Sequence, residues 1–81
     1  MEDLTTLDKI RVGERVRIRE LGAAGAMRRR LLDLGALEGT FISCVGRSPM
    51  GDPSAYLLRG AVVALRKEDS SKIIVMREDK C

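Results

Sequence analysis

Residues Arg15-Val16-Arg17-Ile18-Arg19 alternate charge and hydrocarbon without a break, and this run constrains the fold more than any other part of the chain. On a helix, consecutive odd positions lie about 200° apart and would scatter the arginines around the axis. On a strand they share one face, leaving Val16 and Ile18 together on the other, the mark of a half-buried strand. Thr40 to Val45 is rich in β-branched and apolar residues, as a second strand requires. Ala55 to Leu58 and Ala61 to Leu65 form a third and fourth, joined at Arg59-Gly60, and Lys72 to Met76 forms a fifth after the polar turn Lys67 to Lys72. Ahead of them, Leu4 and Leu7 belong to an N-terminal arm that packs both leucines before the Val12-Gly13-Glu14 turn. Five strands this short pair antiparallel, and curling the sheet removes most exposed edges. The predicted fold is mainly β: a small five-stranded antiparallel barrel with one short inserted α-helix.

The helix follows the first strand. Gly22-Ala23-Ala24-Gly25 breaks the alternation, and Ala26 to Leu34 is helical in pattern, with Gly35 placed to end it in a left-handed conformation. Met27, Leu31 and Leu34 share one stripe, which must face the barrel, whereas Arg29 lies opposite and Leu32 well off the stripe. Arg28, Arg29 and Arg30 stand early and Asp33 late, against the preference of the helix dipole. Two readings follow. Arg29 and Asp33 form an i,i+4 pair on a solvated face, or an off-stripe leucine framed by arginines forms a contact surface for a partner.

The second informative stretch, Ser48 to Pro53, holds both prolines of the chain. Proline fixes φ at Pro49 and Pro53, Gly51 is free to take positive φ, and Asp52 is driven to an extended conformation by the proline after it. A stiff connection between strands accounts for every residue except Met50, an apolar side chain at a turn apex, which either contacts a partner or folds back on the core. The candidate partner-binding residues are therefore Arg28, Arg29 and Leu32 on the helix, with Met50, Gly51 and Asp52 in the loop.

Composition narrows the chemistry. The 81 residues contain no histidine, the usual general base near neutral pH and the commonest metal ligand. Asp52 has no second carboxylate or base at catalytic spacing, so no enzyme activity, catalytic residue or cofactor is expected. Gly22 to Gly25 lacks the Lys-Ser/Thr of a phosphate-binding loop and is read as a turn. Cys44 and Cys81 make neither a disulfide framework nor a metal-ligand pattern, and Cys44 is expected to pack as a small apolar residue without bonding to Cys81. No metal ligands are assigned. With 44% hydrophobic and 33% charged residues, the chain is expected to form one globular domain over residues 1–81. Its acidic start lacks the basic and apolar regions of a secretory signal, and its apolar runs are too short to span a membrane, which places the expected location in the cytoplasm. A net charge of +3 gives only a mild pull toward anions.

Three motifs in order resemble the FeoA family of small proteins in bacterial and archaeal ferrous iron uptake. They are Arg-Leu-Leu-x-Leu-Gly at Arg30 to Gly35 with Leu37 and Gly39 beyond, Pro-x-Gly-Asp-Pro at Pro49 to Pro53, and Leu-Arg-x-x-Asp at Leu65 to Asp69. The resemblance spans nearly the whole chain. It departs at Glu38, where many relatives carry proline before the glycine. It implies an SH3-like barrel with a helical insertion and a cytoplasmic, non-enzymatic helper that binds the FeoB transporter, a membrane protein with a cytoplasmic GTP-binding domain. The same domain is appended to DtxR-like repressors, for whose DNA-binding and dimerisation domains this chain has no room. The alternative is a nucleic-acid-binding barrel using the outward Arg15, Arg17 and Arg19 row. Against it, Phe41 and Tyr56 are the only aromatic residues, and both fall in strands where core packing is their simpler role. Specific nucleic-acid binding is therefore not expected; homo-oligomerisation and direct metal binding stay open.

Overall fold

The computed structural model describes residues 3–77. In chain order the elements are β1 (Asp3–Thr6), β2 (Arg15–Leu21), α1 (Gly25–Asp33), β3 (Phe41–Arg47), β4 (Ser54–Leu58), β5 (Ala61–Leu65), α2 (Lys67–Ser70) and β6 (Ile73–Arg77), with a 3-10 turn at Leu7–Lys9. The strands form one antiparallel sheet in the order β1-β6-β2-β3-β4-β5, strongly curled but with β1 and β5 left as edges. The mainly β, SH3-like class holds, with a sixth strand added by the segment read as an arm. Leu4 accordingly does not pack inward: it pairs with Met76 across β1 and β6 and is exposed, while Leu7 is fully buried. Part of the predicted turn Lys67 to Lys72 is helical, because Asp52 Oδ1 accepts a 2.8 Å bond from the Lys67 amide at the first turn of α2.

The alternation in β2 does what it predicts. Val16 and Ile18 are buried with Leu7, Ile10, Ile42, Cys44, Tyr56, Leu58, Leu65, Ile73 and Val75 in a single core. A bulge between Ile18 and Glu20 lets β2 bend across β6. At its end the chain passes so close to β6 that the Gly22 amide bonds to Lys72 O at 2.6 Å, and a Cβ on Gly22 would strike that carbonyl.

α1 seals the core with Leu31, supported by Met27 and Leu34. Its C-terminus closes with the Gly35 amide on Leu32 O at 3.0 Å and the Ala36 amide on Leu31 O at 2.9 Å, Gly35 having φ +94°. This paired bonding satisfies the last carbonyls and brings Ala36 against Leu31, both buried. The helix ends at Asp33, so Arg30 lies in its last turn, where the dipole favours a cation. Arg28 donates to Leu21 O at 3.1 Å, tying the helix start to the end of β2. Among the described residues Arg29 and Asp33 form no ion pair.

Candidate partner-binding surface

Between the end of β2 and the segment that follows α1 lies an open groove of about 380 Å³. Ile18 and Ala36 form its floor, Leu21, Leu32 and Leu37 its apolar walls, and Arg19, Glu20, Arg28 and Glu38 its rim. Leu32 is 38% exposed and Leu37 55%. Both are held rigidly. Leu32 belongs to the closed end of α1, and Leu37 begins a turn in which the Thr40 amide bonds to Leu37 O at 3.0 Å and Gly39 has φ +89°. Glycine is needed there because the third position of such a turn is left-handed. The turn is fastened to β2 by the Gly39 amide on Ile18 O at 2.7 Å and the Ile18 amide on Thr40 O at 2.9 Å. Arg19 faces Glu38 at 3.9 Å across the rim, an exposed pair of little energetic weight.

A second concavity, of about 530 Å³, shares Leu37 and Glu38 and continues over Gly39, Thr40 and Phe41 to Arg59. Arg59 stands in the β4–β5 turn with φ +49°, and its side chain crosses Gly35, where a Cβ would collide with it. Phe41 corrects the core-packing expectation. It faces outward opposite Arg17, with the Arg15 and Arg17 guanidinium carbons 4.1 and 4.3 Å from its ring centroid. Tyr56 is buried as expected, and burial pushes its phenol up while hydrogen bonding to Ser70 and Ser54 opposes the shift.

The proline loop lies elsewhere. It is braced by the Ser48 amide on Pro53 O at 3.1 Å, the Gly51 amide on Ser48 O at 2.8 Å and the Ser48 hydroxyl on Asp52 O at 2.9 Å. Met50 does not fold back; it is 91% exposed at the apex. Gly51 and Asp52 border a small polar cavity of about 100 Å³ with Asp8, Arg47, Ser54, Tyr56, Lys67 and Ser70. Asp52 acts in the architecture, through its bond to α2. Of the six residues proposed from the sequence, the structure thus joins Arg28 and Leu32 in one groove, sets Arg29 outside it, puts Gly51 and Asp52 at a different cavity and leaves Met50 exposed at the loop apex. Leu37 was missed as a contact residue because a lone leucine in a turn carries no periodic signal. Among the described residues no three of His, Cys, Asp and Glu gather as a metal site, and no helix is long and apolar enough to cross a membrane.

Comparison with known proteins agrees with this architecture. The solution structure of FeoA from Chlorobium tepidum superposes with a TM-score of 0.83 at 30% identity, covering 88% of this chain and 68% of that one. The FeoA-like protein of Clostridium acetobutylicum gives 0.79 at 33%, covering 93% and 87%. The zinc complex of Stenotrophomonas maltophilia FeoA, described as a prokaryotic SH3 domain protein, gives 0.73 at 25%, with 88% of each chain covered. A fusion of Fe(2+) transport protein A with the Fe(2+) transporter FeoB in Porphyromonas gingivalis is 33% identical over 69 residues, which make up 85% of this chain but 8% of the fusion. Residues 5–77 match the family model of the FeoA domain, and the protein belongs to that family.

Proposed function

We propose that the protein is a non-enzymatic accessory factor of ferrous iron transport that works in the cytoplasm by docking on a FeoB-type membrane GTPase. The observation that carries this reading is the groove: Leu32 and Leu37 are exposed leucines on rigid backbone, with Arg28 beside them. Exposed aliphatic anchors at fixed positions lose little entropy on binding, and an adjacent arginine supplies orientation. The fusion found in Porphyromonas gingivalis supports the choice of partner, since there the two proteins are one chain. Docking alters the transporter's nucleotide turnover or pore opening, and no catalytic group of this protein takes part.

The test is a pair of variants, Leu32→Ser/Leu37→Ser and Arg29→Glu, in cells lacking the native protein. The leucine variant is expected to keep its melting temperature, lose co-purification with the transporter and lower ferrous iron uptake. Arg29→Glu, outside the groove, is expected to leave both near normal. Full uptake and co-purification by a folded leucine variant overturns the groove as the contact.

A further inference from the structure

The second edge of the sheet lacks three of the common protections. β5 reads Ala61-Val62-Val63-Ala64-Leu65: it has no charge, no proline and no bulge, and among the described residues it pairs only with β4. The opposite edge is guarded, since β1 begins with Asp3 and sits beside Arg77 at 3.6 Å. Natural sheets blunt open edges with charges, prolines or bulges because bare backbone groups recruit other strands.

The register shows what β5 offers. Leu58 opposite Ala61 closes the Arg59-Gly60 turn, and Tyr56 opposite Val63 and Ser54 opposite Leu65 follow at alternate positions. In an antiparallel ladder these closing positions exchange the hydrogen bonds, and the residues between them point their N–H and C=O groups the other way. Val62 and Ala64 therefore present donors and acceptors to the open side. Val62 is also 66% exposed, and its outward neighbour Leu57 is exposed beside it.

Charge selects the occupant. Arg66 and Lys67 stand directly after the strand, both exposed, whereas the Arg59 side chain before it is drawn away over Gly35. The acids that come next, Glu68 and Asp69, lie in the first turn of α2. In a symmetric pairing of two copies centred on Val63, Arg66 of each copy would face Gly60 of the other, and no acid of the second copy would meet it. Such a pairing leaves cations without a counter-charge at both ends, whereas an acidic segment supplies one. We propose that β5 is a docking edge for an extended segment of another protein, with a β-branched apolar middle and acidic residues at the end that meets Arg66 and Lys67, which joins the sheet as an added strand. Backbone bonds to Val62 and Ala64 hold the segment, Val62 and Leu57 pack its outward side chains, and Arg66 and Lys67 set its flanking charge. This surface is independent of the helix groove assigned above.

Two peptides test the proposal against the whole chain: Glu-Glu-Val-Thr-Val-Thr-Val-Glu-Glu, and the same sequence with lysine in place of each glutamate. Fluorescence anisotropy is expected to show the acidic peptide binding more tightly by about tenfold or more, in a salt-dependent way. Amide resonances of Val62 and Ala64 are expected to shift most. Val62→Pro removes an N–H that β4 does not use, so the fold is expected to survive while binding is lost; Val62→Asp, which repels the acidic peptide, serves if the proline variant unfolds. Equal binding of both peptides, shifts centred on α1, unchanged binding by the folded Val62 variant, or a dimer of the free protein that the Val62 variant dissolves each overturns the proposal.

Discussion

Leu31 and Leu32 are neighbours in α1 with opposite environments, so truncating each separates fold from contact. Leu31 is 1% exposed and packs at the closed end of the helix against Ala36. Leu31→Ala deletes buried hydrocarbon worth about 2 kcal/mol by transfer. The cavity left behind raises the cost to about 2–5 kcal/mol, because the surrounding strands are hydrogen-bonded into the sheet and collapse little. A domain of this length has about 4–12 kcal/mol in all, and each kcal/mol moves its melting temperature by about 4–8 °C. The expected fall is therefore about 8–40 °C, read by far-ultraviolet circular dichroism with urea unfolding alongside. Leu32→Ser removes an exposed side chain and is expected to stay within about 0.5 kcal/mol of the parent. A fall below about 4 °C for Leu31→Ala would mean that α1 is not anchored by Leu31, and a large fall for Leu32→Ser would mean that the groove wall belongs to the core.

Glu14 gives a pH prediction. Burial raises its carboxyl, but the hydrogen bond from Arg77 at 2.6 Å, the Arg11 amide at 2.9 Å and the charges of both arginines outweigh this and leave it below its ordinary value of 4.5. A depressed native value contributes stability that is present above the unfolded value and lost as pH falls through the native one. Glu14→Gln is thus expected to be less stable than the parent at pH 7, with the gap closing in acid; a gap unchanged by pH would contradict this. Gly22→Ala forces a Cβ against the Lys72 carbonyl and is expected to cost about 1–3 kcal/mol by overpacking, whereas Gly46→Ala, with nothing near its Cβ, is expected to leave the contacts there undisturbed; equal unfolding midpoints would refute the distinction. Duplex DNA and single-stranded RNA at physiological salt are expected to bind no tighter than about 1 µM, since charge alone drives the contact; sequence-selective binding below that concentration would favour the nucleic-acid reading.

Patterning that repeats within a few residues was legible in the sequence. The Val16 and Ile18 alternation, the Met27-Leu31-Leu34 stripe, the Gly35 terminus and the Arg59-Gly60 turn all appear where local rules place them. What was not legible depends on distant partners. Asp3–Thr6 becomes a strand only because β6 arrives to pair with it, and Asp52 caps α2 from fifteen residues away. Phe41 illustrates the limit within a strand: β-propensity says that it is extended, but its outward direction is set by its register against Arg17. The candidate site was half legible for the same reason. Leu32 is marked by its departure from the helical stripe, while Leu37 stands out only once the turn at Gly39 is docked on β2.

Arg59 explains how such separate pieces can form a continuous exterior. Its positive φ is compatible with the left-handed backbone of the two-residue β4–β5 turn, a conformation that non-glycine residues adopt at a cost. From there its side chain lies over Gly35, against the end of α1, and lines the concavity that includes Leu37 and Phe41. A cation at that place complements the negative end of the helix dipole, while its methylenes cover the glycine that a larger residue would displace. The hairpin tip, the helix end and the Leu37 turn therefore share one side chain. Removing it by Arg59→Gly would relieve the backbone strain of the turn yet uncover Gly35, so the two effects on stability oppose one another. The loss of a shared wall of the Leu37 concavity has no such compensation, so Arg59 matters more for the surface it builds than for the stability it adds.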